Sequence, residues 1–261
     1  MSHPFETLLH LFSISAIRYF VIAGFAFLLF YKLLDSRLTR SKIQGKSAAF
    51  RDFVREILHS MQTTAVLAII AFIVLFTPLK NHTQVYDAIN TYPVWWIPVS
   101  VVLCLVIHDT YFYWMHRLLH HKKIFRFTHL LHHKSTNPSP WTSYSFHFLE
   151  AWTEGAVLIV IVMIMPVHPL TILLFTITAF IINVYGHLGY EIVPKGFRKT
   201  FMFEILNTSV HHNLHHSRFK GNYGLYFRVW DRMLGTEHPD YVKEFDRIQA
   251  NRFPAHAAPQ P

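Results

Sequence analysis

The stretch VWWIPVSVVLCLVIHDTYFYWMHRLLHH (residues 94–121) runs from an apolar segment long enough to cross a bilayer straight into a group of histidines. No proline, glycine or turn cluster separates the two parts after Pro98. One helix is therefore predicted to continue from residues 94–115 into HRLLH. A spacing of four puts His116 and His120 on one helical face, close enough together to bind one ion. The chemistry of these histidines belongs at the end of a membrane helix.

The same pattern recurs twice downstream. HLLHH contains His129, His132 and His133, and HHNLHHSRF (211–219) contains His212, His215 and His216 after His211. Spacings of three and four are expected to put the three rings of each box on one face. With 20 histidines in 261 residues, HxxHH should arise by chance about 0.1 times, so two copies are a specific signal. Packed together while charged, these rings would repel one another; packed neutral, they leave many nitrogen lone pairs to satisfy. Metal ions answer both problems. Eight nitrogens exceed the four to six ligands of one ion, so two metals sharing the boxes is the economical reading. The single cysteine, Cys104, cannot build such a site, and HExxH, the zinc-protease signature, is absent.

Outside the boxes the chain is a membrane protein by composition, with 52% hydrophobic residues and a mean hydropathy of +0.25. Apolar runs occur at 12–34, 65–79, 94–115, 156–167 and 170–186. The second and the last two are short for full spans, the last two reading as shortened helices broken at MPVHP. Arg18, inside the first run, is expected to snorkel toward an interface. Lys and Arg concentrate at 32–55, 117–134 and 195–252, whereas 80–93 carries only Lys80 and 164–170 none. Positive charge is retained on the cytosolic side, which predicts an outside N-terminus, three spans, a cytosolic segment, a membrane hairpin and a cytosolic C-terminal region. The expected fold is all-α: an integral membrane protein with about four to five transmembrane or membrane-embedded helices and a cytosolic helical cap carrying a histidine-bound dimetal site. It is expected to form a single domain over residues 1–261, ending in a disordered tail at 253–261.

HDTYFYWMHRLLHH, HLLHH and HHNLHHSRFKGNYGLYFRVWDRMLGT resemble the three histidine boxes and C-terminal signature of the fatty acid hydroxylase/sterol desaturase superfamily. The resemblance covers 108–236. It implies an integral-membrane, oxygen-dependent lipid-modifying oxidoreductase with a di-iron centre, zinc being able to replace iron in purified protein. It carries over His116, His120, His129, His132, His133, His212, His215 and His216 as metal ligands. His187, in NVYGHLGYE, matches the family's further histidine before the third box. Other members have a partner for it one turn earlier, where this chain has Asn183, so the resemblance leaves the ligand count at one metal open.

The flanking residues are candidates for supporting roles. His121 and His211 abut the boxes but fall outside their spacing, and His108 lies eight residues before His116, roughly 80° around the helix; whether these three and His147 ligate or only support the site is left open. Asp109 is the preferred carboxylate for orienting a ligating imidazole, with His147 and Glu150 offered for the same duty. NYGLYFRVWDRMLGT reads as a turn followed by an anchor at Trp230 and Asp231. His238 and His256 read as solvated. Iron with open positions can activate oxygen and oxidise a sterol, sphingolipid or fatty-acyl C–H bond to an alcohol or an alkene, and the sequence leaves both outcomes open. No flavin, nicotinamide or haem fingerprint occurs. Electrons are expected from a separate ferredoxin or cytochrome b5-like carrier with its reductase, for which a net charge of +9 is suited. No nucleic-acid partner is expected. The other function class is a membrane protein that binds or transports metal, against which stands the position of the clusters at helix ends rather than mid-span.

Overall fold

The computed structural model describes residues 3–46 and 48–254. Of the tail expected at 253–261, Phe253 is instead tied to the last helix, its N–H donating to the Gln249 carbonyl at 3.0 Å; from residue 255 onward the tail, His256 included, lies outside the described residues. The fold is all-helical, with three isolated β-bridges and no strand among the described residues.

Helix α1 (Pro4–Leu28) starts with proline at its first turn, where a missing N–H costs nothing, and continues through a π-helical turn over Leu29–Leu33. Phe5, Ile17, Val21 and Phe25 face outward, as a lipid-facing helix requires, while Tyr19, Ala23 and Ala26 pack inward. Arg18 departs from expectation. It does not snorkel; its Nη1 reaches across to donate to Thr176 Oγ1 at 2.7 Å.

Helix α2 (Phe50–Phe76) is nearly twice as long as the apolar run at 65–79 that announced it. Its first half is polar, which hides the helix from hydropathy. Its buried polar residues Glu56 and Ser60 are satisfied by partners from the 135–141 segment. Glu56 is fully buried and accepts hydrogen bonds from Ser135 Oγ at 2.6 Å and Ser139 Oγ at 2.8 Å, and Ser60 Oγ donates to the Trp141 carbonyl at 3.1 Å. The helix thus emerges from the apolar layer and becomes a post for the histidine cap.

Helix α3 (Trp96–Leu119) carries the first box at its end. Two short helices, α4 (Phe125–Thr128) and α5 (Leu130–His133), follow. A hairpin of α6 (Phe148–Ile164) and α7 (Pro169–Gly186) returns into the apolar layer. MPVHP is its turn: α6 stops before Met165, and His168 caps α7 by accepting the Leu170 N–H at 3.0 Å. Four helices, Pro4–Leu33, Phe50–Phe76, Trp96–Leu119 and Pro169–Gly186, are long and apolar enough to cross a membrane, and α6 is the shorter fifth. Val66, Ile70, Cys104, Ala151, Val157 and Phe175 form the core between α2, α3, α6 and α7.

The cap is completed by α8 (Phe201–Ile205), α9 (Ser209–Arg218), α10 (Val229–Met233) and α11 (Tyr241–Arg252). Helix α9 has little apolar surface of its own. It is held by Val210 and Leu214, packed with Phe203 of α8 and with Tyr241, Phe245 and Ile248 of α11.

Glu56 provides a test of the α2 post. Glu56→Ala leaves two buried serine hydroxyls without their acceptor, at about 1–3 kcal/mol for each unsatisfied group. Denaturant unfolding in detergent micelles should show a loss of that order, with Glu56→Gln losing less. An unchanged unfolding midpoint for both would remove α2 as the support of the cap.

Candidate metal centre

Four pieces of the chain deliver histidines to one place. The end of α3 brings His116 and His120, the α4–α5 segment His129, His132 and His133, the C-cap of α7 His187, and α9 His212, His215 and His216. All are buried except His120, which is half-buried. They form two groups, His116, His120, His129, His133 and His215 in one and His132, His187, His212 and His216 in the other, each with its facing nitrogens within 4.8 Å of one another.

The expectation that each HxxHH box keeps its three rings on one face is corrected. In each box the i, i+4 pair enters one group and the i+3 ring enters the other: His129 and His133 against His132, and His212 and His216 against His215. Successive helical positions are about 100° apart, so the i+3 ring diverges from the i+4 ring by that angle. The two boxes lie reciprocally, and each group takes the pair of one and the single ring of the other.

Hydrogen bonds at the far side of the rings decide what the inward nitrogens can be. The Nδ1–H groups of His116, His215, His216 and His187 donate to the carbonyls of Tyr223 (2.9 Å), Gly221 (2.7 Å), Ser135 (3.0 Å) and Asn183 (2.8 Å). His132 faces the Ser145 carbonyl at 3.4 Å, and His129 Nδ1 lies 2.5 Å from Glu150 Oε1. A carbonyl can only accept, so in each neutral ring that faces one the proton is on Nδ1 and the inward Nε2 is a bare lone pair. Burial pulls His215 down to about 4 and holds His132, His133, His212 and His216 well below the usual imidazole range, which keeps the rings neutral.

These lone pairs nevertheless meet one another. His133, His120 and His215 approach at 3.0–3.2 Å between Nε2 atoms, and His187, His212 and His216 at 3.0–3.2 Å. His187 and His216, whose Nδ1–H groups are both engaged with carbonyls, face each other with bare Nε2 lone pairs at 3.2 Å and cannot hydrogen-bond to one another. Nitrogens about 2.0–2.1 Å from a common ion would stand roughly 3.0–3.4 Å apart, so the donor sets fit a metal ion each. Asn183 Nδ2 donates to the Ser143 carbonyl at 2.8 Å and its backbone carbonyl takes His187 Nδ1–H; the histidines of that group number four.

The other flanking residues sort by contact. Glu150 supports His129 directly. Asp109 does not orient an imidazole; its Oδ1 accepts the backbone N–H groups of Leu225, Tyr226 and Phe227 at 3.1, 2.6 and 3.2 Å. Asp231 grips the same loop, accepting from Tyr223 N at 2.9 Å and Gly224 N at 2.7 Å. Two buried carboxylates thus clamp the segment whose Tyr223 carbonyl fixes His116. His147 caps α6 through the Leu149 N–H, His108 bonds the Tyr226 hydroxyl at 2.8 Å, His121 is exposed, and His211 packs edge-on against Tyr241. None of these four joins either group. The carbonyls of Ser135, Asn183, Gly221 and Tyr223 escaped sequence reading, since every residue has a carbonyl and only the fold aims it.

An apolar cavity leads to this centre. Its inner end is walled by His116 and His129 of one group and His132, His187 and His212 of the other, and its sides by residues such as Phe112, Phe146, Leu158, Ile172, Phe175 and Ala179. Ile14 of α1 and Leu173 of α7 line it and are also exposed on the outer surface, so its mouth opens laterally between these helices.

The family model described as fatty acid hydroxylase matches residues 101–236. Similar proteins include lathosterol oxidase of Mus musculus, 30% identical over 211 residues that cover 76% of this chain and 69% of that one. A Delta(7)-sterol 5(6)-desaturase of Gibberella zeae is 27% identical over 87% of this chain and 70% of its own. A cholesterol 25-hydroxylase-like protein of Danio rerio is 31% identical over 61% of this chain and 69% of its own. No solved structure matches the chain at a significant level.

Gly221 tests the carbonyl layer. It sits at φ 75°, and a Cβ there would lie 2.6 Å from the Thr236 carbonyl oxygen, so Gly221→Ala must move the carbonyl that holds His215. Titration of the metal-stripped protein with Co(II) or Zn(II) should show affinity about 10- to 100-fold weaker at one site. Wild-type affinity at both sites would show that the carbonyl does not orient the ring.

Proposed function

The chain belongs to the fatty acid hydroxylase/sterol desaturase superfamily and is a membrane lipid hydroxylase or desaturase; from that premise we propose that it oxidises an unactivated C–H bond of a lipid at two iron ions held by its nine clustered histidines. His116, His120, His129, His133 and His215 would hold one ion and His132, His187, His212 and His216 the other. The observation that carries this reading is the apolar cavity whose inner wall is made of histidines from both groups. Bound there, iron would supply oxygen activation and removal of hydrogen from carbon, giving an alcohol if hydroxyl is returned and an alkene if a second hydrogen is lost.

The protein's own work is positional. The cavity walls bind the hydrocarbon by burial and keep water from the reacting carbon. The carbonyls behind His116, His132, His187, His215 and His216 keep those imidazoles in the tautomer that presents Nε2, and Glu150 orients His129. Phe146 beside His132, Phe219 beside His133 and Tyr223 beside His120, at ring separations of 5.1, 4.9 and 5.2 Å, seal the flanks. The named relatives oxidise sterols, which makes a sterol one candidate substrate beside sphingolipids and fatty-acyl lipids.

Electrons would come from a separate ferredoxin or cytochrome b5-like protein. Exposed Arg117, Lys122, Lys123, Arg126, Lys134 and Arg218 surround the outer side of the boxes, next to half-buried His120, and offer an acidic carrier a docking surface. The Lys/Arg asymmetry supports a cytosolic location for this side. Tags at residues 45 and 255 should then report cytosol and a tag near residue 85 the opposite compartment. Finding 85 and 255 on the same side would overturn the topology.

The metal assignment predicts about two ions per purified chain with nitrogen-dominated coordination. Iron is expected in the active form, with zinc replacing it on overexpression. His132→Ala and His215→Ala each remove one nitrogen from a different group, so each should lower metal content and abolish oxidation of a candidate lipid under oxygen with an electron donor supplied. Glu150→Gln should cost about 10- to 100-fold, and His238→Ala should change nothing. Wild-type lipid oxidation by His132→Ala and His215→Ala would remove the boxes from the active site and leave metal handling as the better reading.

A further inference from the structure

Arg18 is an ionisable residue placed in the middle of a lipid-facing helix. Its position needs a reason, because a guanidinium in an apolar layer is costly unless it is paired. It is turned inward, not outward, and lines the cavity together with Ser15 of α1 and Thr176 and Leu173 of α7. Nη1 donates to Thr176 Oγ1 at 2.7 Å, the Tyr144 hydroxyl is a second hydrogen-bond partner of the guanidinium, and Nε is buried with no partner. Among the described residues no carboxylate forms an ion pair with it. The two acids that line the same cavity, Glu150 and Glu154, are both on α6, and Glu150 is engaged with His129.

The placement along the cavity is ordered. Thr176 lies eleven residues before His187 on α7, so the Arg18–Thr176 pair sits about 16 Å along the helix axis from the histidines. It also sits next to Ile14 and Leu173, at the lateral mouth. The glutamates sit toward the metal end, the guanidinium at the entrance, and aliphatic and aromatic side chains between them. A lipid with an anionic end entering between α1 and α7 would meet the guanidinium first, a cation with no carboxylate paired to it. Its hydrocarbon would then run inward to the metal centre. Arg presents several N–H donors in a planar fork, which match the paired oxygens of a carboxylate or phosphate better than the single oxygen of an alcohol.

We propose that Arg18, aided by Thr176, is the specificity residue that anchors the anionic carboxylate or phosphate end of an acyl lipid at the mouth of the cavity, leaving the chain to reach the histidines. An extended chain advances about 1.2 Å per bond, so the anchored group would sit on the order of a dozen bonds from the carbon presented to the metals. This rests on reading the cavity as the lipid site, and it narrows the substrate to lipids with an acidic terminus.

The test is a binding measurement that does not depend on turnover. Wild-type protein, purified in neutral detergent with its metals, is challenged with radiolabelled palmitic acid. Unlabelled palmitic acid, hexadecyl phosphate, 1-hexadecanol and cholesterol then compete at mildly alkaline pH. At least one acidic probe should compete about tenfold or more better than both neutral ones, and which acid wins separates a carboxylate from a phosphate lipid. Arg18→Gln should erase that preference while leaving 1-hexadecanol binding within about twofold, and Arg18→Lys should retain part of it. Equal competition by acids and neutral lipids in the wild type, or an undiminished preference in Arg18→Gln, would overturn the proposal. If Arg18→Gln fails to fold, Arg18→Lys carries the attribution: a reduced acid preference supports the proposal and an undiminished one overturns it. Loss of metal in the histidine variants would leave this result unaffected, so the two readings fail separately.

Discussion

Bare imidazole nitrogens converge on two points, and most of the cap can be understood as the apparatus that holds them there. Six of the nine rings have Nδ1 turned to a fixed acceptor, and each of those presents a lone pair inward. Lone pairs brought to about 3 Å repel one another unless a cation lies between them. The chain must therefore hold an arrangement that its own electrostatics oppose. It does so with contacts remote from the rings: Asp109 and Asp231 on the loop at 223–227, Glu56 on Ser135 and Ser139, and α11 against the outer side of α9.

The division of the HxxHH boxes adds a second constraint. A box that sent all its rings to one ion would leave two independent sites on a shared scaffold. Here the i, i+4 pair and the i+3 ring part company in both boxes, so α9 and the α4–α5 segment each contribute to both groups. A shift of either element disturbs both donor sets together. That coupling suits chemistry needing two ions at a defined separation, and it is a property of helical spacing rather than of any one residue.

Much of this was legible in the sequence because periodicity alone locates rings on helices. The nine histidines singled out by spacing and resemblance are the nine that the fold gathers. Other features were not legible, for identifiable reasons. The polar first half of α2 hid behind a hydropathy pattern set by residues 65–79, since Glu56 and Ser60 find their partners more than 75 residues away. Asp109 looked like a support for an imidazole because it sits two turns from His116 on one helix, yet it serves the backbone of a loop more than 110 residues downstream. Arg18 looked like a snorkelling residue because nothing local offered it a partner; Thr176 became a neighbour only when α1 packed on α7. In each case the deciding contact is long-range, and residue type constrains such contacts weakly.

Helix α6 ties the metal centre to the shape of the cavity. Its first turn carries Glu150, which fixes His129, and the next turns carry Glu154, Gly155, Val157 and Leu158 along the cavity wall. Gly155 sets how near α6 comes to α2, for a Cβ there would lie 2.3 Å from Ile70 Cδ1 and 3.0 Å from Leu67 Cδ2. Ile70 and Leu67 also line the cavity, so the helix separation and the width available to a lipid are one quantity. A side chain at 155 would turn the ends of Ile70 and Leu67 aside and take up room along that wall. One helix of 17 residues thus serves both ends of the site, its first turn holding His129 through Glu150 and its later turns forming the wall against which a lipid would lie.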